Sequence, residues 1–159
     1  MADLEARVAA LESEVAALKA RDAIYKTLSQ YAIAVDDKRP ELLSNIFFED
    51  AGLSIPAWDV EAKGIEGIEQ FLQDYWSRFD HPRRYYANQD IDVDGSSATA
   101  FMYWHVTQVR DGQSVLAWGT YDWIFEQAGE SWLIKHVTVS ILAMTTLEHG
   151  WAGSDIMQL

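Results

Sequence analysis

Asp36 is the residue whose type and position point most directly to chemistry. It is a carboxylate at the end of an apolar helical stripe, followed at once by Asp37-Lys38-Arg39-Pro40. Ile24, Leu28, Tyr31 and Val35 recur at three- and four-residue spacing, the mark of one buried helix face, and Asp36 stands one turn beyond Ala32 on its flank. A carboxylate near a helix C-terminus gains nothing from the macrodipole, and partial desolvation at the border of a core is the setting that raises a carboxylate's pKa. Those are the conditions for a general base. The same residues also fit a solvated helix end in which Asp36 or Asp37 pairs with Lys38 or Arg39.

The elements that must position such a carboxylate follow from periodicity and turn residues. Pro40 can start a short second helix with Leu42, Leu43, Ile46 and Phe47 on its buried face. Residues 52–56 and 58–62 read as brief extended stretches. Past Gly64, Ile65, Ile68, Phe71, Leu72, Tyr75, Trp76 and Phe79 repeat at helical spacing as a third helix. Strands are predicted over about 83–93, 97–110, 114–127 and 132–145, separated by Asp94-Gly95-Ser96, Asp111-Gly112 and Ala128-Gly129-Glu130. Helices first and strands after them, without βαβ alternation, predict an α+β domain with helices on one face of a curved antiparallel sheet.

Ahead of these elements, Leu4, Val8, Leu11, Val15 and Leu18 alternate four and three apart, which puts Val at a and Leu at d of a heptad. Such a segment is either a self-association element or an amphipathic helix lying on its own domain. Asp22 falls at the next a position, so beyond Leu18 the helix either bends or turns a new face to a different partner. The organisation expected is therefore a helical extension over residues 1–20, one domain over 21–147 and a tail over 148–159. That tail, with His149, Trp151 and Met157, could cap a cavity or dock on a neighbouring subunit.

Composition narrows the function. The 159 residues are 49% apolar, with seven Trp, seven Tyr and six Phe, enough for one well-buried core. A formal net charge of −13 and the lack of a basic cluster argue against nucleic acid and anionic membranes as partners. There is no long apolar run and no basic, apolar start, so the chain reads as a soluble cytoplasmic protein. With no cysteine, disulfides, thiolate metal sites and cysteine nucleophiles are excluded. The four histidines are too scattered for a metal site, and no phosphate-binding loop, nucleophile elbow or dinucleotide fingerprint occurs, so catalysis without metal or cofactor is expected.

Several stretches together resemble the SnoaL-like branch of the nuclear transport factor two-like superfamily. They are Tyr31-Ala32-Ile33-Ala34-Val35-Asp36, Leu43 through Phe48 with Glu49-Asp50-Ala51, Lys63-Gly64, Asn88, and Trp118-Gly119-Thr120-Tyr121 through Trp132. The resemblance spans about residues 21–145. It implies a cone-shaped, strongly curved antiparallel sheet packed with three helices around an apolar cavity, and homo-oligomers, dimeric or trimeric. Polyketide cyclases, ketosteroid isomerases, dehydratases, a dehydrochlorinase and non-catalytic subunits share the fold, which alone does not decide function.

In the dehydratase and dehydrochlorinase members, an aspartate at the end of the first helix pairs with a histidine four residues before an asparagine. Asp36 matches the aspartate and Asn88 the asparagine, but the histidine position holds Arg84. A guanidinium stays protonated and can only donate hydrogen bonds, so the histidine-base mechanism does not carry over. Two repairs are open. Asp36 itself can be the base, with Arg84, Tyr31 or Tyr86 stabilising developing negative charge. Against that, Arg84 beside Asp36 makes a structural ion pair. Alternatively a histidine elsewhere, His81 just before Pro82 or His105 or His136 on other strands, supplies the acid or base, unless His105 and His136 are hydrogen-bonded core residues. Trp58, Trp76, Trp104 and Trp118, with Tyr86 and Asn88, are the candidate substrate contacts. The function expected is a cofactor-independent lyase or isomerase of dehydratase, cyclase or dehydrohalogenase type for a small apolar or polycyclic substrate. The alternative is a non-catalytic ligand-binding or oligomerisation module.

Overall fold

The computed structural model describes residues 2–152. The chain opens with a single helix, α1 (Ala2–Asp36), followed by a 3₁₀ segment over Pro40–Asn45, strand β1 (Phe47–Ile55), a 3₁₀ turn over Pro56–Trp58 and strand β2 (Val60–Lys63). Helix α2 (Gly64–Arg78) and four long strands complete it: β3 (Asp80–Asp94), β4 (Ser97–Arg110), β5 (Gln113–Ala128) and β6 (Ser131–Thr146). The sheet order is β2-β1-β6-β5-β4-β3. The meander from β3 to β6 is antiparallel, as is β1 with β2, while β1 runs parallel to β6. That one parallel pairing departs from a purely antiparallel sheet. It arises because the chain passes through α2 and the whole meander before β6 returns beside β1.

Why the helices face the sheet is visible in their stripes. Ile24, Leu28, Tyr31 and Val35 are buried on α1, as are Ile68, Leu72, Tyr75 and Trp76 on α2. On β4 the period of two separates buried Met102, Trp104, Val106 and Gln108 from exposed Phe101, Tyr103 and His105. The sheet therefore has a concave side filled by the helices and a convex side facing outward.

Two local expectations change. The segment after Pro40 winds as 3₁₀, and Phe47 already belongs to β1, which starts five residues earlier than its hydrophobic pattern indicated. Leu43, Ile46 and Phe47 are buried in either conformation, so their spacing did not distinguish the two. The first helix is not interrupted after Leu18; it continues through Asp22 to Asp36 and presents a different side to the domain. Among the described residues no helix is long and apolar enough to cross a membrane.

Candidate functional site

Asp36 closes α1, and the chain leaves the helix through Lys38 in the left-handed region at φ 55°, with Arg39 N–H donating to the Ala34 carbonyl at 2.8 Å. The Trp76 indole N–H donates to the Val35 carbonyl at 2.8 Å and ties α2 to this end. Strand β3 then runs past the helix terminus. Its neighbouring arginines take opposite sides, so Arg83 meets Asp37 at 3.1 Å near solvent while Arg84 turns inward to Asp36. Lys38 pairs instead with Asp80, and Arg39 with Glu41. The local pairing of Asp36 or Asp37 with Lys38 or Arg39 does not form.

Asp36 and Arg84 make a buried, multiply bonded pair. Arg84 Nε–H donates to Asp36 Oδ1 at 2.7 Å, and the Arg84 backbone N–H donates to Oδ2 at 2.8 Å. The two side chains are only 8% and 7% exposed. Removing one member of such a pair typically costs about 3–5 kcal/mol, because the other charge is left without a partner. The far end of the guanidinium reaches the Tyr121 hydroxyl, Nη1–H donating at 3.2 Å, and lies 5.6 Å from the centre of the Tyr31 ring. Tyr31 meets the rings of Tyr121 and Trp123 edge-on at 6.2 and 5.1 Å. Tyr86 meets Tyr121 edge-on at 5.9 Å, and its hydroxyl is buried with no hydrogen-bond partner among the described residues.

These groups have perturbed proton affinities. Burial pushes the phenols of Tyr31, Tyr75, Tyr86 and Tyr121 upward, partly offset by the Arg84 charge. Burial alone would lower the pKa of Arg84, but Tyr121, Tyr31, Tyr75 and Asp36 around it outweigh that and raise it. At neutral pH the site is thus the Arg84–Asp36 pair among neutral phenols.

The guanidinium of that pair opens on a cavity between the helices and the concave side of the sheet. Its polar lining is Arg84, Tyr31, Tyr75, Gln108 and Tyr121, with Tyr75 donating to Gln108 Oε1. Leu53, Ile55, Trp58, Phe71, Trp104 and Met144 are among its apolar walls. The free space is about 50 Å³. Roughly 10–15 Å³ holds one water, whereas ligand sites usually run from about 300 Å³ upward. A substrate-sized guest therefore needs wall side chains to move, and Trp58 and Phe71, both half-buried, are the least confined of the aromatic walls.

The residues singled out from sequence thus divide. Asp36, Arg84 and Tyr31 come together, Trp58 and Trp104 line the cavity, and Tyr86 sits behind Tyr121. Trp76 is a strut between helices. Asn88 is exposed at a bulge between Ala87 and Asp90, at φ 54°, and takes no part in the site. His105 lies on the convex side, stacked on Tyr85 at 5.1 Å, and Trp118 packs there against Trp151 at 6.0 Å. His136 also faces outward, within 3.2 Å of the Ser54 hydroxyl, because the register skips Lys135 between Ile134 and His136. Of the tail, Met157 lies outside the described residues.

Tyr121, Tyr75 and Gln108 were not singled out. Gln108 had a signal, a polar residue sharing strand parity with Met102, Trp104 and Val106. Tyr75 had helical spacing from Ile68 and Leu72. Tyr121 had one too, since it shares unbroken strand parity with Val115, Ala117, Trp123 and Phe125; the register shift beside it places its extra residue, Leu142, on β6.

The comparisons agree with this geometry. A solved hexachlorocyclohexane dehydrochlorinase, LinA type 2, superposes with a TM-score of 0.79 at 20% identity, over 84% of this chain and 93% of that one. The type 3 enzyme from Novosphingobium barchaimii LL02 gives 0.77 at 22% identity, covering 84% and 94%. An NTF2-like superfamily protein from Salmonella enterica serovar Typhimurium gives 0.72 at 23%, covering 86% and 99%. No curated protein matches the chain. At these identities the likeness establishes the fold. The model of the SnoaL-like domain, however, matches residues 16–138, from the exposed part of α1 to the middle of β6, and the chain belongs to that family.

Proposed function

We propose that the protein is a cofactor-independent lyase or isomerase, of dehydratase, cyclase or dehydrohalogenase type, acting on a small apolar or polycyclic molecule in the enclosed cavity. The observation that carries this reading is the Arg84 guanidinium, held from behind by Asp36 and facing an apolar chamber beside the Tyr121 hydroxyl. A fixed cation in a water-poor site stabilises negative charge as it develops on a carbonyl oxygen or a leaving atom. Each Asp36 oxygen accepts one hydrogen bond from Arg84, which leaves lone pairs able to take a proton from the carbon next to that group. In this reading Asp36, which stands behind Arg84 and off the cavity lining, is the base for a substrate that reaches past the guanidinium, Arg84 is the electrophile, and Tyr31 and Tyr121 hold the guanidinium in place.

One observation favours the non-catalytic reading, a module that binds such a molecule without transforming it. Both Asp36 oxygens are engaged, and among the described residues the cavity lining contains no carboxylate or imidazole. Asp36→Asn separates the two. On a panel of enones, β-hydroxy ketones and halocarbons, the enzyme reading expects kcat/KM to fall by about 10²- to 10⁴-fold while ligand affinity is kept. Wild-type protein that binds a panel member by calorimetry and never turns it over supports the binder.

A further inference from the structure

The first half of α1 has no role in the cavity. Residues 3–19 are exposed, and Ala20 is the first residue of the helix packed against the core of the domain. Within that exposed segment the apolar side chains are the ones in water: Leu4 is 63%, Val8 44%, Leu11 60%, Val15 48% and Leu18 65% exposed. A helix that merely lay on its own domain would cover them. Ile24, Leu28, Tyr31 and Val35 fall at c and g of the same heptad frame, so one continuous helix turns one side to its own domain and another side to solvent.

We infer that residues 4–18 form a parallel, in-register, two-stranded coiled coil with a second copy of this chain, joining two domains through a stalk. Three features choose this occupant. The solvent-facing positions repeat every 3.5 residues with Val at a and Leu at d, a pattern that favours two strands. The flanking charges are complementary in the parallel arrangement, where each g position meets the e position five residues on in the partner helix: Arg7 meets Glu12, and Glu14 meets Lys19. The pattern also ends where the domain begins. Asp22 would face its own copy at the next a position, and the Arg21 to Lys26 crossing would bring like charges together. The seam is roughly 20 Å long, too short to hold alone as an isolated peptide, but the domain already anchors the helix beyond it and removes the cost of nucleation.

The test uses the full chain and sedimentation equilibrium. The expected result is a monomer–dimer equilibrium in which Leu11→Asp with Val15→Asp raises the dimer Kd by at least about 100-fold, with the domain's circular dichroism unchanged. Glu12→Arg is expected to weaken the dimer several-fold, and adding Arg7→Glu in the same chain to restore it. Orientation is read from single cysteines, since the natural chain has none. Leu4→Cys and Leu18→Cys should each cross-link with themselves under mild oxidation. Cross-linking only when the two variants are mixed would mean an antiparallel pair and overturn the proposal. So would a monomer at all concentrations, a trimer, or a dimer that survives Leu11→Asp with Val15→Asp. That last outcome would move the contact to the convex sheet face, where Tyr85, Tyr103 and Leu142 are exposed.

Discussion

Arg84 decides what chemistry Asp36 can perform. A guanidinium keeps its proton at any working pH, so the partner of Asp36 donates hydrogen bonds but cannot accept a substrate proton as an imidazole would. Arg84→His replaces the fixed cation with a group that can itself accept the substrate proton while still donating to Asp36. The expected outcome is turnover on the same carbonyl and halocarbon panel that rises at least about 10-fold over wild type, with a rate increasing as pH passes the usual histidine range near 6.5. A pH–rate profile measures it, and a variant that folds, binds the panel and stays inert would overturn the expectation that the fixed guanidinium is what limits proton transfer here. At this scale the pairing of Asp36 with Arg84 was legible, since a helix end and a strand parity place both residues. The Tyr121 contact was not, because parity puts Tyr121 on the inner face of β5 but does not say which of the inward residues on that strand lies opposite Arg84 on β3.

Among the elements, bulges determine which residues share the site. The four strands and their glycine turns were readable because Gly95, Gly112 and Gly129 all sit at positive φ between alternating runs. The shifts inside the strands were not, and they are what turn Asn88 and His136 out of the cavity. The irregularity between Trp118 and Gly119 has a structural cost that can be measured. A Cβ built on Gly119 would overlap the backbone carbonyl oxygen of Ser140 on β6, which cannot move without opening the β5–β6 ladder. Gly119→Ala is therefore expected to destabilise the fold by about 1–3 kcal/mol or more in urea unfolding. A change within about 0.5 kcal/mol would mean that the ladder yields there. The short 3₁₀ segment after Pro40 escaped prediction for a different reason: Leu43 and Ile46 are buried whether the backbone winds tightly or loosely.

For the molecule as a whole, the four buried phenols link the cavity to global stability. Each of Tyr31, Tyr75, Tyr86 and Tyr121 is pushed above its ordinary value of 10.0, first of all by burial. Once pH exceeds that ordinary value, the unfolded chain gives up protons that the native protein still holds, so unfolding becomes more favourable as pH rises. Stability is fully present below pH 10 and lost above it. The loss is about 1.4 kcal/mol per pH unit for each phenol, or roughly 5–6 for four, against a total of about 5–15 kcal/mol for a domain of ordinary stability. The protein should unfold cooperatively within about one to three units above pH 10, with the near-ultraviolet circular dichroism collapsing as these four phenols ionise. Tyrosinate absorbance rising to the full seven-tyrosine value while the tertiary signal persists would show that water already reaches the phenols around Arg84. In that case the guanidinium would not sit in a dry chamber, and the electrostatic advantage assigned to it would be correspondingly smaller.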